Sequence, residues 1–96
     1  MSEFSLVVSK VWGCEEWLVN EPEYCFKFLE ISKGASSSLH YHLVKKETFI
    51  LTRGKVKLEV NGKIIILGRR VIPVTILPKV PHRFIGVKDS VLMEIS

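Results

Sequence analysis

The sequence lacks the long apolar runs and the N-terminal signals that would direct a chain to a membrane or out of the cell. No hydrophobic stretch approaches the roughly 18 residues that a membrane-spanning helix needs. The first residues, MSEFSLVVSKVWG, do not place a basic segment before a long apolar one, as a secretory signal peptide does. We therefore expect no membrane partner and a cytoplasmic location.

Cysteine is scarce, and its spacing indicates neither a redox centre nor a zinc site. The two cysteines, Cys14 and Cys25, form neither a CxxC pair nor the spacing of a zinc ribbon. Two reduced thiols are the expectation for a cytoplasmic chain. A disulfide between them stays open as an alternative, because sequence alone does not show whether their backbones approach each other.

Positive charge is in modest excess but is not concentrated. The formal net charge is +4, and the basic residues cluster only as the pairs Lys45-Lys46 and Arg69-Arg70. No basic run is interleaved with aromatic side chains, so the sequence predicts no nucleic-acid partner. A weak positive field is compatible with an anionic small molecule such as a sugar phosphate.

Helical periodicity is missing as well, and short alternating segments separated by turn residues take its place. The predicted strands are Tyr24–Ile31, Glu47–Thr52, Lys55–Val60, Lys63–Leu67, Val71–Leu77, His82–Gly86 and Ser90–Ile95. Asn61-Gly62 predicts a two-residue hairpin turn, and the ambiguous stretch from Glu3 to Trp17 is expected to hold one strand and a loop. With about eight strands and no crossover helix, residues 1–96 are predicted to form a single all-β domain, a small antiparallel barrel or jelly roll.

Three histidines and one glutamate are the candidate metal ligands. His40 and His42 are two residues apart, so in a strand they project from the same face. Glu47 follows a short loop, and a hairpin of that length would bring it opposite the pair. His82, the third histidine of the chain, begins another strand. Imidazole and carboxylate donors with positions left over suit one divalent first-row metal, and they do not distinguish Zn, Mn, Fe, Co and Ni.

The spacing of these residues resembles the first signature of the cupin family. Five residues separate Gly34 from His40, one separates His40 from His42, four separate His42 from Glu47, and six separate Glu47 from Gly54. The resemblance covers most of the chain. It implies an antiparallel cupin jelly roll, also called a double-stranded β-helix, with a pocket inside the barrel.

The second cupin signature is partly matched. In LPKVPHRF, Pro78, Pro81 and His82 fit, whereas Lys79 stands where family members often have a glycine. Gly86 likewise replaces the usual asparagine. All three histidines still fall on ligand positions, so the resemblance implies a four-ligand metal site and leaves the geometry of this loop in question.

Strand parity predicts which other side chains line such a pocket. Ser38 shares the parity of the histidine pair, Phe49 that of the glutamate ligand and Phe84 that of the third histidine. Lys27 lies on an apolar strand face, so its ammonium group either points into the barrel or extends to its rim. Arg53 has the parity of Phe49 and is expected at the pocket mouth. These five residues are the predicted ligand-binding residues.

A narrower resemblance is to the cupin domains of sugar isomerases, especially phosphomannose isomerases. It rests on Trp12-Gly13, Glu16-Trp17-Leu18, Lys27, Ile31, Gly34 and Ser38-Leu39-His40. The large members of that family carry further domains that 96 residues cannot hold. The resemblance implies a sugar or sugar phosphate bound beside the metal, with aldose–ketose isomerisation through an enediolate that the metal stabilises as a Lewis acid.

The sequence does not identify a base for that proton transfer. Glu47 is a poor choice if it binds the metal, so Lys27, Tyr41 or a water on the metal are left, and no second free carboxylate is evident nearby. Two alternatives are therefore kept: a non-catalytic barrel that binds a small molecule, and an iron-dependent dioxygenase. Cupins commonly dimerise, and the apolar run Ile64-Ile65-Ile66 is the expected contact of a homodimer.

Overall fold

Antiparallel strand pairing provides the regular structure in the computed structural model, which describes residues 6–68, 70 and 72–96. The described residues form nine strands: β1 (Leu6–Lys10), β2 (Gly13–Asn20), β3 (Cys25–Ile31), β4 (Glu47–Arg53), β5 (Val56–Val60), β6 (Lys63–Leu67), β7 (Val74–Ile76), β8 (His82–Gly86) and β9 (Ser90–Ile95). That part of the chain contains no helix, and so none that is long and apolar enough to cross a membrane.

The strands form two sheets that enclose one core. A six-stranded sheet has the order β1-β2-β3-β9-β4-β7, and a three-stranded sheet has the order β6-β5-β8. Isolated bridges from Ser36 and His40 to β8 extend the smaller sheet by an irregular fourth segment. The all-β antiparallel prediction is therefore confirmed.

The core is built from alternate residues of strands in both sheets. Leu29, Phe49 and Leu92 contribute from the larger sheet, and Leu58 and Phe84 from the smaller one. The alternation of β5 explains why it was readable in the sequence: Val56 and Leu58 are fully buried, whereas the residue between them is exposed. Burying such side chains stabilises the barrel by about 1.5–3 kcal/mol each.

The predicted hairpin between β5 and β6 is confirmed. Asn61 has φ of 50° and Gly62 has φ of 82°, and the flanking residues Val60 and Lys63 pair with each other. Positive φ at both central positions is the conformation of a type I′ turn, which matches the twist of the two strands.

The N-terminal region differs from the prediction of one strand and a loop. It holds two paired strands, β1 and β2, with Lys10 opposite Gly13. β2 is half-buried along most of its length, so its residues do not alternate clearly between apolar and polar, and the sequence pattern was weak there. Glu3, at the start of that stretch, lies outside the described residues.

β7 is shorter than its prediction. It covers only Val74–Ile76, because Pro73 precedes it and has no N–H to donate to a neighbouring strand. Val71, where the predicted strand began, lies outside the described residues, as does Arg69 of the predicted basic pair.

Candidate metal centre

His40 and His82 are fixed opposite each other by the backbone. The His40 N–H donates to the His82 carbonyl at 3.1 Å, and the His82 N–H donates to the His40 carbonyl at 2.8 Å. Their ring centroids are 4.5 Å apart. An antiparallel hydrogen-bonded pair therefore places two imidazoles side by side on the interior of the barrel.

His42 lies beyond this bridge, in a loop and not in a strand. The expectation that the histidine pair shares a regular strand is therefore wrong, because pairing ends at the bridge between His40 and β8. The His42 carbonyl instead accepts a hydrogen bond of 2.6 Å from the Lys79 N–H. Lys79 has φ of 70°, so a lysine adopts here the left-handed conformation that favours glycine. The loop keeps this conformation at a cost of about 1 kcal/mol.

Glu47 reaches the histidines from the other sheet. It begins β4, which pairs with β7 and β9, so the predicted hairpin between the histidine segment and Glu47 does not form. The loop 43–46 instead crosses from the smaller sheet to the larger one. The Glu47 Oε1 atom then lies 3.1 Å from His42 Nε2 and 2.9 Å from His82 Nε2.

The four side chains together form a compact donor set. One ligand atom from each of His40, His42, Glu47 and His82 lies within 4.8 Å of the others. Three imidazoles and one carboxylate, drawn from three separate segments of the fold, suit a divalent transition-metal ion.

The hydrogen bonds behind the imidazoles test this fit. His40 donates from Nδ1 to the Ser38 carbonyl at 2.9 Å, and His82 donates from Nδ1 to the Val80 carbonyl at 2.9 Å. Each bond fixes the ring orientation and directs Nε2 toward the cluster, which is the usual support for metal-binding histidines. The residues present therefore fit a metal ion held through Nε2 atoms and one carboxylate.

Electrostatics within the cluster lower the pKa of Glu47 and raise the pKa of His82. Burial raises the pKa of Glu47, but the hydrogen bond from His82 and the nearby His42 outweigh burial, so this pKa lies below its ordinary value. Burial lowers the pKa of His82, and its bonds to Glu47 and the Val80 carbonyl outweigh that effect and raise it. The pKa of His42 is lowered, first by burial and then by its histidine neighbours. A cation that replaces these protons would meet a preformed negative group.

A cavity of about 240 Å³ adjoins the donor set. Four of the five predicted ligand-binding residues line it: Lys27, Ser38, Phe49 and Phe84. Trp12 lines it too, and its ring meets that of Phe84 edge-on at a centroid distance of 4.8 Å. The lining therefore combines polar donor residues with aromatic rings. A larger hollow of about 570 Å³ between β6 and β7 contains none of the four donor residues.

Arg53 is not brought to this cavity. A β-bulge between Leu51 and Arg53 shifts the pairing of β4 with β9, so the alternation that predicted an inward arginine fails there. Arg53 is exposed and lines a separate hollow with Cys14, Glu30 and Asp89.

Two carboxylates in the cavity were missed by sequence reasoning. Glu15 and Glu94 both line it, although no second free carboxylate near the metal ligands was evident from the sequence. Glu94 is 7% exposed. Burial and the charge of Glu47 raise its pKa to about 7, against the opposing effect of Lys27. The alternation of Ser90, Leu92 and Glu94 in β9 was the available signal, since Leu92 is a core residue.

Comparisons with known proteins identify the fold. No protein-family model matches this chain, and no curated protein matches it. An RmlC-like cupin from Shewanella frigidimarina is 18% identical, with a TM-score of 0.84 over 99% of this chain and 85% of that one. KdgF from a Halomonas species is 14% identical, with a TM-score of 0.80 over 85% of this chain and 74% of the other.

A third similar structure is a hydroxypropylphosphonic acid epoxidase from S. wedmorenis. It is 14% identical with a TM-score of 0.86, and the match covers 100% of this chain but 56% of the epoxidase. Identities this low show that the fold is shared, and they do not show that an activity is shared. The nine-stranded barrel described here has the cupin jelly-roll fold.

Proposed function

We propose that this chain binds one divalent transition-metal ion through His40, His42, Glu47 and His82. We further propose that it binds a small sugar or sugar phosphate beside that ion and interconverts an aldose with a ketose. The observation that carries the proposal is the donor set within 4.8 Å, placed beside a cavity of about 240 Å³. A metal centre with adjacent space for a small ligand is a common plan for an active site.

The metal would contribute Lewis-acid polarisation of ligand oxygen atoms when bound. The rest of the work falls to the chain's own side chains. Trp12 and Phe84 line the cavity with an edge-on pair of aromatic rings. Glu94 lines the same cavity beside Glu47, and it is the carboxyl group that we assign to moving a proton between neighbouring ligand carbons. Tyr41, an earlier candidate for this role, is 57% exposed and does not line the cavity.

Turnover in the presence and absence of metal tests this proposal. Chelator-treated protein would be reloaded separately with Zn, Mn, Fe, Co and Ni and incubated with aldoses and their phosphates, with products followed by NMR. The proposal expects aldose–ketose conversion that requires metal and is lost in Glu94→Gln. Metal-dependent ligand binding without conversion would instead identify a non-catalytic binding barrel.

Iron-dependent oxidation is the second candidate function. It is supported by the three-histidine, one-carboxylate donor set and by the similarity to a structure of FeII HppE, which has a TM-score of 0.86 at 14% identity and of which this chain covers 57%. Oxygen consumption by the iron-loaded protein, measured with thiols and aromatic diols as substrates, tests it. Consumption above that of the zinc-loaded protein would favour this candidate over isomerisation.

We also propose that the chain forms a homodimer through β6. This strand is an edge of the smaller sheet, and its Ile64 and Ile66 side chains are 52% and 51% exposed. Covering apolar side chains on an edge strand would remove both an exposed patch and unpaired backbone groups. Sedimentation velocity would test this: Ile64→Thr should weaken association, and a wild-type monomer at all concentrations would refute it.

A cytoplasmic location completes the proposal. Both cysteines are free thiols, and Cys25 is buried. Thiols of this kind persist in a reducing compartment.

A further inference from the structure

The wall of the cavity next to the donor set is a network of three ionisable side chains, Glu15, Lys27 and Glu94. The Lys27 ammonium lies 3.9 Å from a carboxylate oxygen of Glu15 and 3.9 Å from one of Glu94. The strands fix this arrangement, because Lys27 of β3 is the direct partner of Glu94 in β9. All three side chains are largely shielded from water, with side-chain exposures between 9% and 13%.

Aromatic and hydrogen-bonding contacts hold the network in place. The Lys27 Nζ atom lies 4.4 Å from the centroid of the Trp17 ring, which is a cation–π distance. The Trp17 Nε1–H donates to Glu15 Oε1 at 2.7 Å. Lys27 therefore faces two carboxylates and an aromatic ring, and its charge is already compensated before any ligand arrives.

The charges of the side chains around the cavity disfavour an anionic ligand in its interior, whereas a metal ion on the donor set would act in the opposite direction. Among the described lining residues, the carboxyl groups largely shielded from water are those of Glu15, Glu47 and Glu94, and Lys27 is the one lysine or arginine whose side chain is shielded to a similar degree. Lys10 and Lys45 also line the cavity, but they are exposed, and Lys10 pairs with Glu15 at 3.9 Å. A phosphate group inside would thus lie against carboxylates, at a cost that low polarity increases.

The same wall suits hydroxyl groups. Carboxylate oxygens accept hydrogen bonds from hydroxyls, and an ammonium group donates to them, so a Glu–Lys–Glu row offers both roles in alternation. Trp12 and Phe84 provide an apolar surface for the carbon skeleton of such a ligand. The cavity of about 240 Å³ is smaller than the roughly 300–1,000 Å³ of drug-sized sites, which limits the ligand to a small molecule.

We infer that Glu15, Lys27 and Glu94 form a specificity wall that selects an uncharged, polyhydroxylated ligand over its phosphorylated form. The inference rests on the proposed function, because it names the ligand class of the same cavity. It narrows that proposal from a sugar or sugar phosphate to a neutral sugar or polyol.

Paired titration calorimetry tests the inference. Binding of neutral aldoses and polyols is compared with binding of the corresponding phosphates, on the zinc-loaded protein and on the chelator-treated protein. We expect the neutral compound of each pair to bind at least tenfold more tightly. Equal or tighter binding of the phosphates, or binding of neither class, would overturn the inference.

Three variants separate recognition from mere structural support. Glu15→Gln removes one carboxylate and with it one of the ion pairs of Lys27. The ratio of the affinity for the neutral ligand to the affinity for its phosphate should therefore fall at least threefold. Lys27→Met should weaken neutral ligands without improving the phosphates, because it leaves the carboxylates uncompensated. Glu59→Gln is the matched control: this glutamate pairs with Arg83 outside the cavity, so its removal should leave the ratio unchanged. An unchanged ratio in Glu15→Gln would contradict the role of the wall.

The zinc content of each variant keeps the two proposals distinguishable. It should stay at the wild-type level in all three, because none of the replaced residues belongs to the donor set. A wild-type protein that holds no zinc but still prefers neutral ligands would refute the metal centre and support the wall. The converse result, stoichiometric zinc with a preference for phosphates, would refute the wall alone.

Discussion

His40 and His82 stand opposite each other in an antiparallel bridge, and each imidazole donates its Nδ1 hydrogen to the carbonyl of the residue two positions before it. The two rings thus have the same tautomer requirement and the same supporting contact, although they lie in separate parts of the sequence. This repetition is the strongest structural indication that both rings are arranged to bind through Nε2.

Metal binding should release a proton from His82. The Nδ1 and Nε2 atoms of this ring form hydrogen bonds with the Val80 carbonyl and with Glu47, and its pKa is raised above the ordinary value. A metal ion on Nε2 must replace that proton. Calorimetric titration near pH 6.5 in buffers of different ionisation enthalpy should show release of up to about one proton per metal ion. Heat independent of the buffer would contradict this prediction.

Removing one histidine ligand should weaken metal binding while a neighbouring substitution does not. His42→Ala deletes a donor from a partly exposed loop position, so the fold should survive the change. We expect metal affinity to fall by more than about tenfold, since even outer-shell changes cost about 10–100-fold. Tyr41→Ala is the control, because this side chain is exposed and outside the donor set. Equal metal affinity in both variants would argue against His42 as a ligand.

Glu94 should make the metal-free protein less stable as pH rises. Its pKa is raised from an ordinary value of 4.5 to about 7, so between these values the native state keeps a proton that the unfolded state has lost. The free energy of unfolding must then fall with increasing pH across that window, with a contribution of at most about 3 kcal/mol.

The comparison of wild-type protein with Glu94→Gln isolates this effect. The variant has no carboxyl to titrate, so its stability relative to wild type should increase from about pH 4.5 to about pH 7 and then level off. Urea unfolding in the presence of chelator measures it. A stability difference that does not change with pH would show that Glu94 titrates normally.

Gly54, the last residue of the first signature, should tolerate no side chain. It has φ of 90°, and a Cβ atom there would overlap the Ser90 hydroxyl and the Asp89 carbonyl. Ser90 Oγ also accepts a hydrogen bond from the Lys55 N–H at 2.9 Å, so it is not free to move. Gly54→Ala should therefore lower the free energy of unfolding by more than about 3 kcal/mol.

Gly62→Ala is the matched control for this prediction. Gly62 has a similar φ of 82°, and a Cβ atom there would meet nothing within 4 Å. Gly62→Ala should lower the free energy of unfolding by only about 1 kcal/mol, the cost of holding an alanine in a left-handed backbone conformation. An equal decrease in the free energy of unfolding in the two variants would mean that the steric overlap at Gly54 is relieved at no cost.

Much of the fold was predictable from the sequence because several short strands alternate clearly and because glycine or proline residues separate many of them. β6, β8 and β9 have the predicted bounds. The sequence pattern did not predict β1 and β2 as two paired strands, because the two faces of this edge hairpin differ little in burial.

The candidate site was predictable to the extent that it depends on spacing. The glycine, histidine and glutamate pattern brought together four residues that the structure places within 4.8 Å. Parity failed for Arg53, because a bulge is invisible in sequence periodicity. Glu94 was missed because the sequence does not show that it lies opposite Lys27 on the neighbouring strand. That pairing joins distant parts of the chain.

X-ray absorption at the zinc edge, on protein reloaded with one equivalent of zinc, shows whether these four side chains bind the ion. We expect full occupancy, with three imidazole nitrogens at about 2.0–2.1 Å and a carboxylate oxygen at about 2.0–2.2 Å. The signal of one imidazole should disappear in His42→Ala. Zinc that fails to bind stoichiometrically, or that binds with one imidazole or none, would refute the proposed metal centre.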